Sequence, residues 1–97
     1  MSIELGTKVV VTTEYRGVFF GTLAKYDRES RFVALADARN CLYWPRSNKG
    51  FIGLAVDGPK EGARVGPAVA TLELAGVTSV MGCTDEAIAA WESETWT

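Results

Sequence analysis

Histidine is absent from this chain, and with it the side chain that most often moves protons near neutral pH. General acid–base work would fall to carboxylates or a perturbed lysine, and no motif sets such a pair in place. There are only two cysteines, Cys41 and Cys83, without the CxxC spacing of a metal site. Both lie beside apolar residues, which predicts buried free thiols in a reducing cytoplasm rather than a disulfide. Cys41 stands in a cationic segment that could depress its pKa, but it has no histidine partner for nucleophilic catalysis. No apolar run approaches the roughly 20 residues of a membrane helix, and no charged-then-apolar leader opens the chain. The expectation is a cytoplasmic, non-enzymatic protein without cofactor or metal.

Basic residues are missing from the last third. Residues 1–64 hold all ten Lys and Arg against seven acids, a net of +3, whereas residues 65–97 hold five acids and no base, a net of −5. The overall charge of −2 counts against a protein that coats nucleic acid by bulk electrostatics, so nucleic acid stays a disfavoured partner. The asymmetry itself suits head-to-tail contact between copies. The 97 residues make one domain, 1–97, and 47% hydrophobic residues with three Trp, three Tyr and four Phe is generous for so small an interior. A homo-oligomer is expected on those grounds.

What is present reads mainly as strands. Lys8–Thr13 is β-branched throughout, as in a half-buried strand. A polar turn ending at Gly17 leads to Val18–Tyr26, with Val18, Phe20 and Thr22 on one face and Phe19, Gly21 and Leu23 on the other. Gly21 inside that strand predicts a bend or a close backbone approach. Asp27–Ser30 turns the chain. Arg31–Ala36 reads as a third strand and Asn40–Trp44 as a fourth, stopped by Pro45. Gly50–Val56 reads as a short helix or turn with Phe51, Ile52 and Leu54 inward. Residues 57–66, with three Gly and one Pro, read as a mobile loop. Lys60 and Arg64 lie there without the strand and helix context of a phosphate-binding loop. Ala68–Leu74 and Val77–Met81 are two more strands around Gly76. Thr84 caps a helix from Asp85 to about Ser93, with Asp85 and Glu86 at the positive end of its dipole. Ile88 and Trp91, flanked by Ala87, form its apolar face. Trp91 and Trp96 read as packing or interface residues. The pattern predicts a mainly β fold: a small SH3-like or Sm-like curled sheet or barrel of five to six strands with a C-terminal helix.

One segment looks like a binding site. Arg39 to Lys49 joins three cations, two adjacent aromatics and short polar side chains, with no acid between Asp37 and Asp57. Tyr43 and Trp44 offer π-faces, Arg39, Arg46 and Lys49 offer charge, and Asn40, Ser47 and Asn48 offer hydrogen bonds. Such a set suits a planar anion, such as a nucleotide-like ligand. Arg39 is the candidate for bidentate phosphate pairing. Because Tyr43 and Trp44 alternate across a strand, one is expected in the core and the other as a stacking platform. Arg46 and Lys49 are also ordinary loop charges, and Asn48 is also a turn former.

The run VVVTTEYRGVFFGTLAKYDRESRFVALADA resembles the first half of an Sm-like barrel, through Gly17, Gly21, Asp27, Leu35, Asp37 and Ala38. That resemblance implies a ring that binds single-stranded RNA. Arg31 stands roughly where that family places its base-reading Asn. A broader pattern is similar to small bacteriophage proteins of unannotated function. It comprises Tyr15, Gly17, Val18, Gly21 and Leu23, then Asp37-Ala38-Arg39, Tyr43-Trp44, Leu54-Ala55 with Gly58, and Cys83-Thr84 with Glu86-Ala87. By analogy with compact phage sponges, it implies sequestration of a cyclic nucleotide or cyclic ADP-ribose-type immune signal. A structural or host-protein-binding phage component is the other reading.

Overall fold

The VVV run of the first strand has apolar side chains on both of its faces, so it needs cover on both. The computed structural model, which describes residues 3–95, provides it. Strand β1 (Lys8–Thr13) lies inside a six-stranded antiparallel sheet, between β2 (Val18–Asp27) and β6 (Val77–Gly82). Val9, Val10 and Val11 are all fully buried. Val10 faces a layer made with Phe20, Leu54, Ala87 and Trp91. Val9 and Val11 face a second layer with Leu23, Val33, Leu35 and Val77, inside the curl of the sheet.

Strand β3 (Phe32–Tyr43) pairs β2 along one edge and two short partners along the other. These are β5 (Val69–Leu74), which pairs residues 33–38, and β4 (Arg64–Val65), which pairs Cys41 and Tyr43. The β2–β3 register shifts at Gly21, between Phe20 and Thr22. A Cβ there would meet Leu35 Cβ at 3.0 Å and the Ala36 carbonyl oxygen at 3.1 Å, the close approach expected of a strand glycine. The curl brings the β2–β3 turn to the start of β6, where Val77 N donates to Arg31 O at 3.1 Å. Among the described residues, β5 and β6 each leave one edge unpaired.

Two helices cover one face. Helix α2 (Asp85–Ser93) starts where Thr84 Oγ1 accepts from Ala87 N at 3.0 Å. Its Trp91 stacks on Phe20, with centroids 5.0 Å apart and planes at 5°. The indole Nε1 donates to Leu54 O at 2.9 Å, so the tryptophan is buried without an unmet donor. Helix α1 (Phe51–Val56) buries Gly53, Leu54 and Ala55 against it. Trp96 lies outside the described residues.

Three expectations need correction. The third and fourth strands are one strand, because Asp37 takes a left-handed φ of 50° and absorbs the irregularity as a bulge without ending the pairing. Phe51 and Ile52 point outward, since Gly53 must face Asn48 and only Leu54 and Ala55 then reach the core. The 57–66 stretch is anchored: it contributes β4, its Gly58 and Pro59 are buried, and Asn48 holds it from below.

Candidate functional site

The predicted segment folds into two parts with different work. Arg39 lies directly opposite Phe20 on the helix-covered face of the sheet and is buried. Its Nε donates to Gly66 O at 2.8 Å, and its Nη1 donates to Trp91 O at 2.9 Å and Glu94 O at 2.7 Å. A guanidinium at a helix C-terminus meets the carbonyls left without intrahelical donors and the negative end of the dipole. Arg39 therefore ties α2 to the sheet and does not line the cleft beside Tyr43 and Trp44. Asn48 is likewise architectural. Fully buried, it donates from Nδ2 to Gly58 O at 2.7 Å and accepts at Oδ1 from Lys60 N at 3.1 Å. Its burial follows from these bonds, since an amide left unpaired there would be costly.

The aromatic pair divides at the end of β3, past an irregularity in the β3–β4 register between Cys41 and Tyr43 and not by simple alternation. Trp44 is half-buried against the helix-side core, and Tyr43 is 55% exposed. Beside them is a residue that the sequence reading passed over. The β1–β2 connection is one 3-10 turn, Glu14–Arg16, in which Tyr15 and Arg16 have φ of 64° and 67°. Two successive non-glycine residues in the left-handed region cost about 1–2 kcal/mol each. The turn is held by Thr13 N donating to Gly17 O at 2.9 Å and Glu14 N donating to Gly76 O at 3.0 Å, and Arg31 pairs with Glu14 at 3.2 Å. The result places Arg16 at a cleft of about 300 Å³ lined by Arg16, Cys41, Leu42, Tyr43 and Trp44. An aromatic next to a cation in a polar turn was the available signal. Asn40, Arg46, Ser47 and Lys49 are exposed nearby and do not line this cleft.

The cleft's thiol is held in its neutral form. Burial pushes Cys41 up to about 11, against a smaller opposing effect of its bond to Tyr43 O, so burial outweighs any depression by the cationic segment. Cys83 is raised to about 12 by burial, and both thiols are free. Among the described residues no three thiol or carboxylate groups gather to hold a metal ion, and no helix is long and apolar enough to cross a membrane.

A second cavity, of about 310 Å³, opens where α2 ends over the sheet. It is lined by Lys8, Phe20, Thr22, Asp37, Arg39, Ala68 and Glu92. Lys8 and Glu92 form an ion pair across β1 and α2.

Comparison with known proteins agrees with the fold and is silent on chemistry. No curated protein matches the chain. The structure is similar to that of a heptameric archaeal Sm protein, with a TM-score of 0.53 and 18% identity, covering 82% of this chain and 90% of that one. At that identity the likeness shows a shared fold. The model of a family described as "Domain of unknown function (DUF6948)" matches residues 6–91, and the chain belongs to that family.

Proposed function

We propose that this protein is a non-enzymatic binding module whose Arg16–Trp44 cleft takes up a planar anion of the nucleotide class and sequesters it. The observation that carries this reading is the strained turn that presents Arg16 beside Tyr43 and Trp44. Backbone strain of this kind persists where the surroundings enforce it, and it clusters at binding sites. Stacking on an aromatic is worth ~1–3 kcal/mol per base, and a charge-assisted bond from Arg16 adds about 1.5–3 kcal/mol. Arg46, Lys49 and Asn40 stand close enough in the chain to extend contacts along a larger ligand.

The cleft is at the small end of ligand pockets, about 300–1,000 Å³, so it suits one nucleotide unit. A ligand with two such units, such as a cyclic dinucleotide, would need a second copy. The unpaired edges of β5 and β6 and the heptameric state of the Sm neighbour support a homo-oligomer. On the phage-type resemblance, the setting would be the cytoplasm of an infected bacterial host, with the protein as an anti-defence sponge for cyclic nucleotide or cyclic ADP-ribose-type signals.

A second reading, an Sm-like ring that binds single-stranded RNA, is favoured by the fold alone. Salt separates the two, because a strand held through several phosphates loses affinity steeply with ionic strength and a one-nucleotide pocket loses far less. The first test is mass spectrometry of small molecules released by heating the purified protein, followed by calorimetric titration of nucleotides and of a single-stranded RNA. A retained or titrating nucleotide, with weak salt dependence, is expected. No bound small molecule and no heat from any nucleotide would remove the proposal.

A further inference from the structure

The cavity at the end of α2 differs chemically from the Arg16–Trp44 cleft. Two cations, Lys8 and Arg39, and two carboxylates, Asp37 and Glu92, stand on its walls together with the Thr22 hydroxyl, over a floor formed by Phe20. Lys8 and Glu92 largely neutralise each other as a pair. That leaves Arg39 and Asp37 as the opposed charges available to a guest. Arg39 is fixed by three bonds to carbonyl oxygens, yet its fork has more N–H donors than those bonds use. Asp37 is exposed and has no ion-pair partner among the described residues.

The backbone supports the same location. Asp37 sits at φ 50°, a conformation that Asp and Asn tolerate better than most residues but that is still uncommon. It lies at the register shift between β2 and β3. Positions 37 and 39 share a face of the strand, and across the bulge both still line one cavity beside Thr22 of the neighbouring strand. A ligand that satisfies both charges carries an anion and a cation a few bonds apart.

We propose that this cavity is a separate binding site for a small zwitterion of the α-amino-acid class, with the carboxylate on Arg39 and the ammonium on Asp37. Thr22 supplies a hydrogen bond to the carboxylate, and Lys8 and Glu92 close the opposite wall. This site shares no lining residue with the Arg16–Trp44 cleft, so it stands or falls independently of the nucleotide reading.

The test is calorimetric titration of the full chain with the L-α-amino acids, and with their N-acetyl and carboxamide derivatives, up to about 10 mM, where a millimolar site is filled. At least one amino acid is expected to bind, and its two blocked derivatives are expected not to. Asp37→Asn keeps a residue suited to the left-handed backbone while deleting the charge. It is expected to weaken binding about tenfold or more with the unfolding midpoint unchanged. Thr22→Val is a second, milder variant that leaves Arg39 and its carbonyl contacts in place, and it is expected to weaken binding several-fold. Silence from every amino acid, equal binding of a blocked derivative, or undiminished affinity in Asp37→Asn would overturn the assignment.

Discussion

Arg39 shows how a residue's neighbours along the chain can conceal the groups it meets in the fold. Its neighbours along the chain, Tyr43 and Trp44, suggested a ligand. The groups it binds lie 27, 52 and 55 residues away, and nothing local in the sequence points to them. Replacing it with methionine leaves three carbonyls without this donor, two of them at the end of α2. Arg39→Met is expected to lower stability by about 3 kcal/mol, read as a fall in the urea midpoint with little change in slope. An unchanged midpoint would mean that the guanidinium does not tie the helix down. Asn48 reads in the sequence as a turn former as well as a ligand candidate, but its partners Gly58 and Lys60 reach it through a loop whose path only the fold determines. The thiols were more legible. Apolar neighbours predict free and buried side chains; both are free, Cys41 is buried and Cys83 only half-buried, and burial raises both pKa values. With folded values above unfolded ones, their neutral forms favour the native state below the ordinary thiol pKa, and that contribution is lost as pH rises toward 11–12.

At the scale of elements, legibility followed locality. Helix α2 and its Thr84 cap were readable because the cap, the first-turn acids and the Trp91 face all sit within ten residues. Strands β1, β2, β5 and β6 were readable from β-branched runs and turn residues. The bulge in β3 was hidden because an aspartate with positive φ resembles, in sequence, an aspartate that ends a strand. Helix α1 is too short for periodicity to fix which side faces inward. Gly53 decides it: a Cβ there would sit 1.5 Å from the Asn48 carbonyl oxygen. No side-chain rearrangement relieves a clash with backbone. Gly53→Ala is therefore expected to destabilise the protein by about 3 kcal/mol, although alanine is the better helix former. A neutral or stabilising result in chemical denaturation would show that α1 does not pack on the Arg46–Asn48 turn as described.

For the molecule as a whole, the curl of the sheet is the feature that matters. By closing the β2–β3 turn onto β6, it fixes the Glu14–Arg16 turn through Gly76 and Arg31 and thereby sets Arg16 beside Tyr43 and Trp44. The cationic segment of the sequence thus supplies the cleft proposed to bind a ligand only in part. Its aromatic half stays, Arg39 moves into the framework, and the charge comes from a turn some 25 residues earlier in the chain. The most direct measurement is calorimetric titration of a bound nucleotide into wild type, Arg16→Gly and Tyr43→Ala, with thermal melting of each. Glycine relieves the left-handed backbone at position 16, so Arg16→Gly is expected to melt no lower than wild type while binding about tenfold or more weakly. Tyr43→Ala is expected to fold normally and lose the stacking contribution. Undiminished nucleotide affinity in both variants would contradict the account.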